Sequence, residues 1–221
     1  MKGKRKKKNM WASGLSPSRI EALCDGVFAI AMTILVLELS VDEHILKAIA
    51  FAEGGNLYYL LDGIYTYVMG FVVLGVYWVL HHYMFNFIKR SDGVLVWLNV
   101  LFLMFAALVP LSTKVSRTYP DSYPGYFFYV TSMVIAILLL LVIWQYATRG
   151  YRLVDRDIGG ENISVVNGII IISVSVILAV LVGAYFLPWF GWLGFIPLGY
   201  VIAATACGHH NPFSKRQAKT K

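Results

Sequence analysis

Cysteine is nearly missing from this chain: Cys24 and Cys207 are the only two in 221 residues. Both fall near the side assigned below to the cytoplasm, where thiols stay reduced, so neither a structural disulfide nor a zinc site is expected. The stretch "CGHH" at Cys207 to His210 offers too few ligands for a closed zinc site unless subunits combine. Charge is scarce as well, at 14% against 58% hydrophobic residues. A soluble core of this length could not bury so much apolar surface, which points to a polytopic membrane protein. Neither a pair of carboxylates nor a histidine cluster occurs at one depth, so an enzyme is not expected. No internal repeat is visible either, which weakens an inverted-repeat transporter. Arg19 onward reads as a full-length span without a small-residue cleavage site, and the N-terminus is expected to be retained.

What the chain does have is a series of apolar runs. A helix crossing about 30 Å of hydrocarbon needs roughly 20 apolar residues, and six runs of that size are bounded by charge or turn signals. They extend from Arg19 to Leu39, Tyr58 to Ile88, Gly93 to Thr113, Tyr126 to Thr148, Ile163 to Tyr185 and Trp189 to Cys207. The expected architecture is an all-α membrane protein. A basic cytoplasmic tail covers 1–18, a six-helix membrane domain 19–207, and a second basic tail 208–221. Pro188 and Gly191 mark a tight turn between the last two runs, and Gly159-Gly160 breaks the longer polar loop "RGYRLVDRDIGGEN".

The formal charge is +7, and "MKGKRKKKN" holds six basic residues and no acid. That tail reads as a topology signal and a contact for anionic lipids rather than a nucleic-acid arm. With six spans, 16 of the 19 Lys and Arg fall on the N-terminal side of the membrane, while Lys47, Lys114 and Arg117 fall on the other. The positive-inside rule then puts both termini in the cytoplasm of a protein of the cell membrane.

The first span, "SRIEALCDGVFAIAMTILVLEL", carries charges near both ends. At about 100° per residue, Ile30, Ile34 and Leu37 fall within an arc of roughly 60°, with Thr33 at its edge. Alone, the stripe suits a core or a lipid-facing surface as well as a pore. Asp25 points roughly 140° away from Ile30, toward neighbouring helices. Arg19 and Asp25 stand six apart, neither i+3 nor i+4, so a third group is needed to join them. His81, at a similar depth in "YWVLHHYMF", is the expected bridge. A network of Arg19, Asp25 and His81 is thus expected to lock helices or adjacent subunits together, with a snorkelling Arg19 as the alternative. Glu38, at the outer end, reads either as a solvated helix end or as part of an acidic ring that concentrates cations.

These residues resemble the transmembrane protein 175 family of potassium channels, prokaryotic branch. The family's signature is an arginine, three residues, then Phe-Ser-Asp. Here "RIEALCD" keeps Arg19 and Asp25 and has Leu23 and Cys24 in place of the Phe and Ser. "YWVLHHYMF" and "WLNVLFLMFAALVPLSTKV", Trp97 to Val115, are similar to the family's second-helix and third-helix motifs.

The resemblance implies a potassium-permeable channel, a homotetramer of six-helix subunits whose first helices line one central pore. It implies a constriction and gate at Ile30, Ile34 and Leu37, a selectivity role for Thr33, and no metal or cofactor beyond the permeant K+. No "TVGYG" filter occurs, so selectivity would rest on dehydration at apolar rings and on threonine hydroxyls. The alternative for Thr33 is a bond to the carbonyl one turn back. The alternative function is a proton- or sodium-coupled secondary transporter using Asp25, His81 and His82 as relay groups. Against it, Pro110 and Pro197 lie toward span ends rather than at a midplane break.

Overall fold

The computed structural model describes residues 15–40, 43–51, 57–119, 122–160, 163–172 and 174–175. Six α-helices follow one another: α1 (Pro17–Ser40), α2 (Glu43–Ile49), α3 (Leu57–Phe87), α4 (Gly93–Ala107), α5 (Val109–Thr118) and α6 (Tyr123–Thr148). A shorter apolar helix, α7 (Ile163–Ile172), follows among the described residues. Among the described residues four stretches are long and apolar enough to cross a membrane: Pro17–Leu39, Leu60–Phe87, Gly93–Thr118 and Tyr123–Tyr151. The expected fifth span is described only in its first half. The expected sixth span, the C-terminal tail and most of the N-terminal tail lie outside the described residues.

Helix ends follow local chemistry. Pro17 opens α1, where its fixed φ fits the first turn and its missing N–H is no loss. Asp92 caps α4 by accepting from the Leu95 amide at 3.0 Å. Ser122 accepts from the Gly125 amide at 3.3 Å and starts α6 at Tyr123, ahead of the expected Tyr126. The third span, expected to stop at Thr113, continues to Thr118 but breaks at Leu108 between α4 and α5. Pro110 accounts for the break, because it cannot donate to the preceding turn and its ring crowds that turn's carbonyl. The short α2 was not anticipated; its Lys47 pairs with Glu43 at 2.6 Å across one turn.

Within the bundle α6 lies against α4 and α5, and α1 lies against α3 and α4. Phe102 of α4 sits where they meet, 5.9 Å from the ring of Phe28 and 6.4 Å from that of Tyr77. The buried Tyr77 hydroxyl donates to the Met133 carbonyl at 2.9 Å, joining α3 to α6. A hydroxyl in hydrocarbon needs such a partner, so this bond fixes the rotation of α3. Ser132 and Ser112 join α6 to α5 in the same way at 3.1 Å.

One end of the bundle is tied by backbone. The amides of Lys89 and Arg90 donate to the Leu153 carbonyl at 2.9 and 3.1 Å. The Arg90 guanidinium donates to the carbonyls of Tyr151 and Val154 at 3.1 and 2.8 Å. Left-handed backbone at Gly150 and Tyr151, φ 63° and 56°, turns the chain back under the α3–α4 connection. The Ser91 hydroxyl donates to the Leu15 carbonyl just before α1. The start of α1, the α3–α4 turn and the segment after α6 therefore share the end that charge counting assigns to the cytoplasm.

Candidate pore helix and its anchors

Helix α1 has two distinct faces. Ile20, Cys24, Phe28, Ala31 and Leu35 recur at intervals of three and four and are buried, seating the helix on α3 and α4. A Cβ on Gly70 of α3 would lie 3.1 and 3.4 Å from the two methyls of Leu35, so the bare glycine lets the helices approach closely. The other face carries Ile30, Ile34 and Leu37, 62%, 38% and 58% exposed, together with exposed Thr33. The residues expected to form the constriction share one surface that turns away from the subunit's own core. The Thr33 hydroxyl donates to the Ile30 carbonyl at 2.8 Å, the backbone bond foreseen as its alternative, and its oxygen keeps acceptor capacity.

The charged residues pair differently from expectation. Asp25 accepts from the Trp78 indole N–H at 2.7 Å. His81 is 2% exposed and shares a hydrogen bond with the Asn99 side chain at 2.7 Å. Its ring stacks on Phe85 and Phe102, with centroids 4.2 and 5.7 Å away. Among the described residues neither a hydrogen bond nor an ion pair joins Arg19, Asp25 and His81, and Arg19 is exposed at the start of α1. The reason lies in the rotation of α3. His81 follows buried Tyr77 and Met84 toward α4, while Trp78 and His82, stacked at 5.7 Å, take the side nearer α1. One expected network becomes two separate anchors, α1 to α3 through Asp25 and Trp78, and α3 to α4 through His81 and Asn99.

Trp78 and Asn99 were visible as members of sequence motifs but not as site residues. The usable signals were an indole donor at the depth of a membrane carboxylate and a lone amide in an apolar run. Glu38 also has a partner: its carboxylate lies 2.8 Å from the Lys114 ammonium of α5. Asp62 and Arg117 pair nearby at 3.3 Å. The negative charge at the outer end of α1 is thus offset by a cation rather than standing alone.

At the inner end, Asp92 gathers three elements. Beside the Leu95 amide it accepts from the Tyr146 hydroxyl at 2.6 Å and from Arg152, whose nearest nitrogen lies at 3.1 Å. The Arg152 guanidinium covers the Tyr146 ring 4.6 Å from its centroid. Burial pushes the Asp92 carboxyl upward, but Tyr146, Leu95 and Arg152 more than offset it and hold the group below its ordinary pKa. Among the described residues no group of three His, Cys, Asp or Glu is placed to hold a metal ion.

Comparison with known proteins gives the family and the fold. The family described as endosomal/lysosomal potassium channel TMEM175 matches residues 19–110, from Arg19 through α4 to Pro110. A potassium channel of Streptomyces collinus is 36% identical over 146 residues, covering 62% of this chain and 67% of the relative. A potassium channel of Chamaesiphon minutus is 31% identical over 142 residues, covering 62% and 69%. The crystal structure of a lysosomal potassium-selective channel TMEM175 homologue from Chamaesiphon minutus shares the fold, with a TM-score of 0.68 at 23% identity over 84% of this chain and 95% of that one. With apolar helices in this order and relatives matched over about two thirds of their length, this chain is a multi-pass membrane protein that belongs to the TMEM175 family of potassium channels.

Proposed function

We propose that this protein conducts potassium passively through a central pore formed by four copies, each a six-helix subunit that lines the pore with α1. The observation that carries this reading is the division of α1 into a seated face, Ile20 to Leu35, and an outward face of Ile30, Ile34 and Leu37. In a bilayer an outward apolar face meets lipid, a neighbouring subunit or a pore. Family membership favours the pore.

On this reading the isoleucine and leucine side chains form stacked apolar rings narrow enough to shed water and block ions when closed. Opening widens and rehydrates them, and a larger cation passes more readily because its dehydration is less costly. Thr33 spends its only donor on the Ile30 carbonyl, so an approaching cation meets acceptor oxygen rather than a proton. Asp25 with Trp78 holds α1 on α3, His81 with Asn99 holds α3 on α4, and neither pair takes part in permeation. Glu38, offset by Lys114, adds little net charge to the mouth. The permeant K+ is the only ion the mechanism requires, and the basic tails contact anionic lipids.

The test is the bi-ionic reversal potential for potassium against sodium, with purified protein in planar bilayers. The expected result is a reversal shifted toward the potassium equilibrium with no coupled gradient. Flux that saturates and stops when a proton or sodium gradient is collapsed refutes the passive pore in favour of a transporter.

A further inference from the structure

A cavity of about 190 Å³ lies behind the outer end of α1. It is lined by Leu35, Glu38 and Leu39 of α1, by Thr66 of α3, and by Thr113 and Lys114 of α5, among others. Leu35 and Leu37 are two residues apart, about 200° around the helix axis, so the cavity backs the face opposite the constriction. The pocket is open on one side rather than enclosed, so its space is accessible to a side chain or a shifting helix end.

The inner half of the same helix has no such freedom. Asp25 is fixed by Trp78 and Phe28 packs on Phe102. Helix α1 is therefore seated along its inner half, while its outer half rests on Gly70 through Leu35 and borders the open pocket beside that contact. The Glu38 to Lys114 pair borders that space at 2.8 Å. A flexible four-carbon stem lets the ammonium follow the carboxylate as the helix shifts, so the charge stays compensated.

We propose that this void receives the last turns of α1 when the channel opens, drawing Ile34 and Leu37 off the pore axis. The inference rests on the reading of α1 as the pore helix. The void is then a structural determinant of gating: what fills it holds the channel closed, and what enlarges it favours the open state.

The experiment fills the void after the channel has folded. Thr66 lines it, with a hydroxyl that donates to the Asp62 carbonyl at 2.8 Å. Thr66→Cys channels in planar bilayers are recorded before and after methyl- and benzyl-methanethiosulfonate, then after reduction. The benzyl adduct is expected to lower open probability about tenfold, as one overpacked side chain shifts a two-state equilibrium. The methyl adduct acts less, unitary conductance is unchanged, and reduction restores opening. Thr66→Phe, which needs no reagent, gives the same fall, and Leu39→Ala raises open probability. The unsubstituted channel under the same reagents controls for Cys24 and Cys207.

An adduct confirmed by mass spectrometry that leaves open probability unchanged, or raises it, overturns the proposal, as does a lowered open probability in Leu39→Ala. Those outcomes are distinct from failure of the channel reading. That reading fails when the unsubstituted protein carries no passive potassium current, whereas the void fails in a channel that conducts but does not respond.

Discussion

Removing the Asp92 carboxylate perturbs the junction of α4, the end of α6 and the segment that follows it. Its bond from the Leu95 amide is an N-cap interaction, worth about 0.5–2 kcal/mol. The Tyr146 hydroxyl at 2.6 Å is a hydrogen bond to a charged acceptor, worth about 1.5–3 kcal/mol. Arg152 is more than half exposed, so solvent screening holds its share to about 0–1 kcal/mol. The contacts share one carboxylate and are not additive, so Asp92→Ala is expected to destabilise by about 2–4 kcal/mol. Asp92→Asn keeps the cap and loses the charge, for a smaller loss of about 1–2 kcal/mol. The assay heats detergent-solubilised protein and follows the surviving folded fraction by size-exclusion chromatography. Because the folded pKa of Asp92 lies below its unfolded value, its stabilisation is complete above the unfolded value, about 4. It is lost as pH falls through the lower, folded value. The wild-type midpoint should therefore fall toward that of Asp92→Asn as pH drops from about 5 through the unfolded value and on through the lower, folded one. A midpoint for Asp92→Ala equal to wild type at pH 7, or a gap from Asp92→Asn that does not narrow in acid, refutes the reasoning.

Other substitutions probe the pore face and the two anchors. Ile34→Ala and Leu37→Ala should raise unitary conductance or open probability, and wild-type single-channel records in both would remove these residues from the constriction. Trp78→Phe withdraws the only described donor to Asp25 and should destabilise by about 1.5–3 kcal/mol. A double-mutant cycle with Asp25→Asn should return a coupling of at least about 1 kcal/mol, and strict additivity would dissolve that anchor. His81→Leu or Asn99→Leu alone strands one buried partner, at about 1–3 kcal/mol, while the double change should recover much of the loss. Thermal midpoints that fall further in the double variant would show that the pair acts in another way.

The first four spans were legible because their causes are local. Hydrocarbon thickness demands a length and an apolar composition that any window of the sequence displays. The refinements came from equally local chemistry: Ser122 and Pro124 start α6, and Pro110 divides the third span. The arc of Ile30, Ile34 and Leu37 followed from helical period, and the fold adds that this arc is the exposed face of α1.

The partners of the polar groups were not legible. Asp25 had two candidate imidazoles at suitable depth, His81 and His82, yet its donor is Trp78. The choice depends on the rotation of α3, which is set by Tyr77 reaching Met133 and by Phe102 packing between helices, contacts distant in sequence. The same holds for Glu38, whose partner Lys114 stands on another span, and for the pocket behind it, which α1, α3 and α5 line together. Sequence by itself determined that the first four spans are long and apolar enough to cross a membrane and which residues share a helix face, since both follow from the bilayer and the backbone period. Tertiary structure alone decided which polar groups meet across helices and where space remains, because helix rotation and crossing are settled by the packing of the whole bundle.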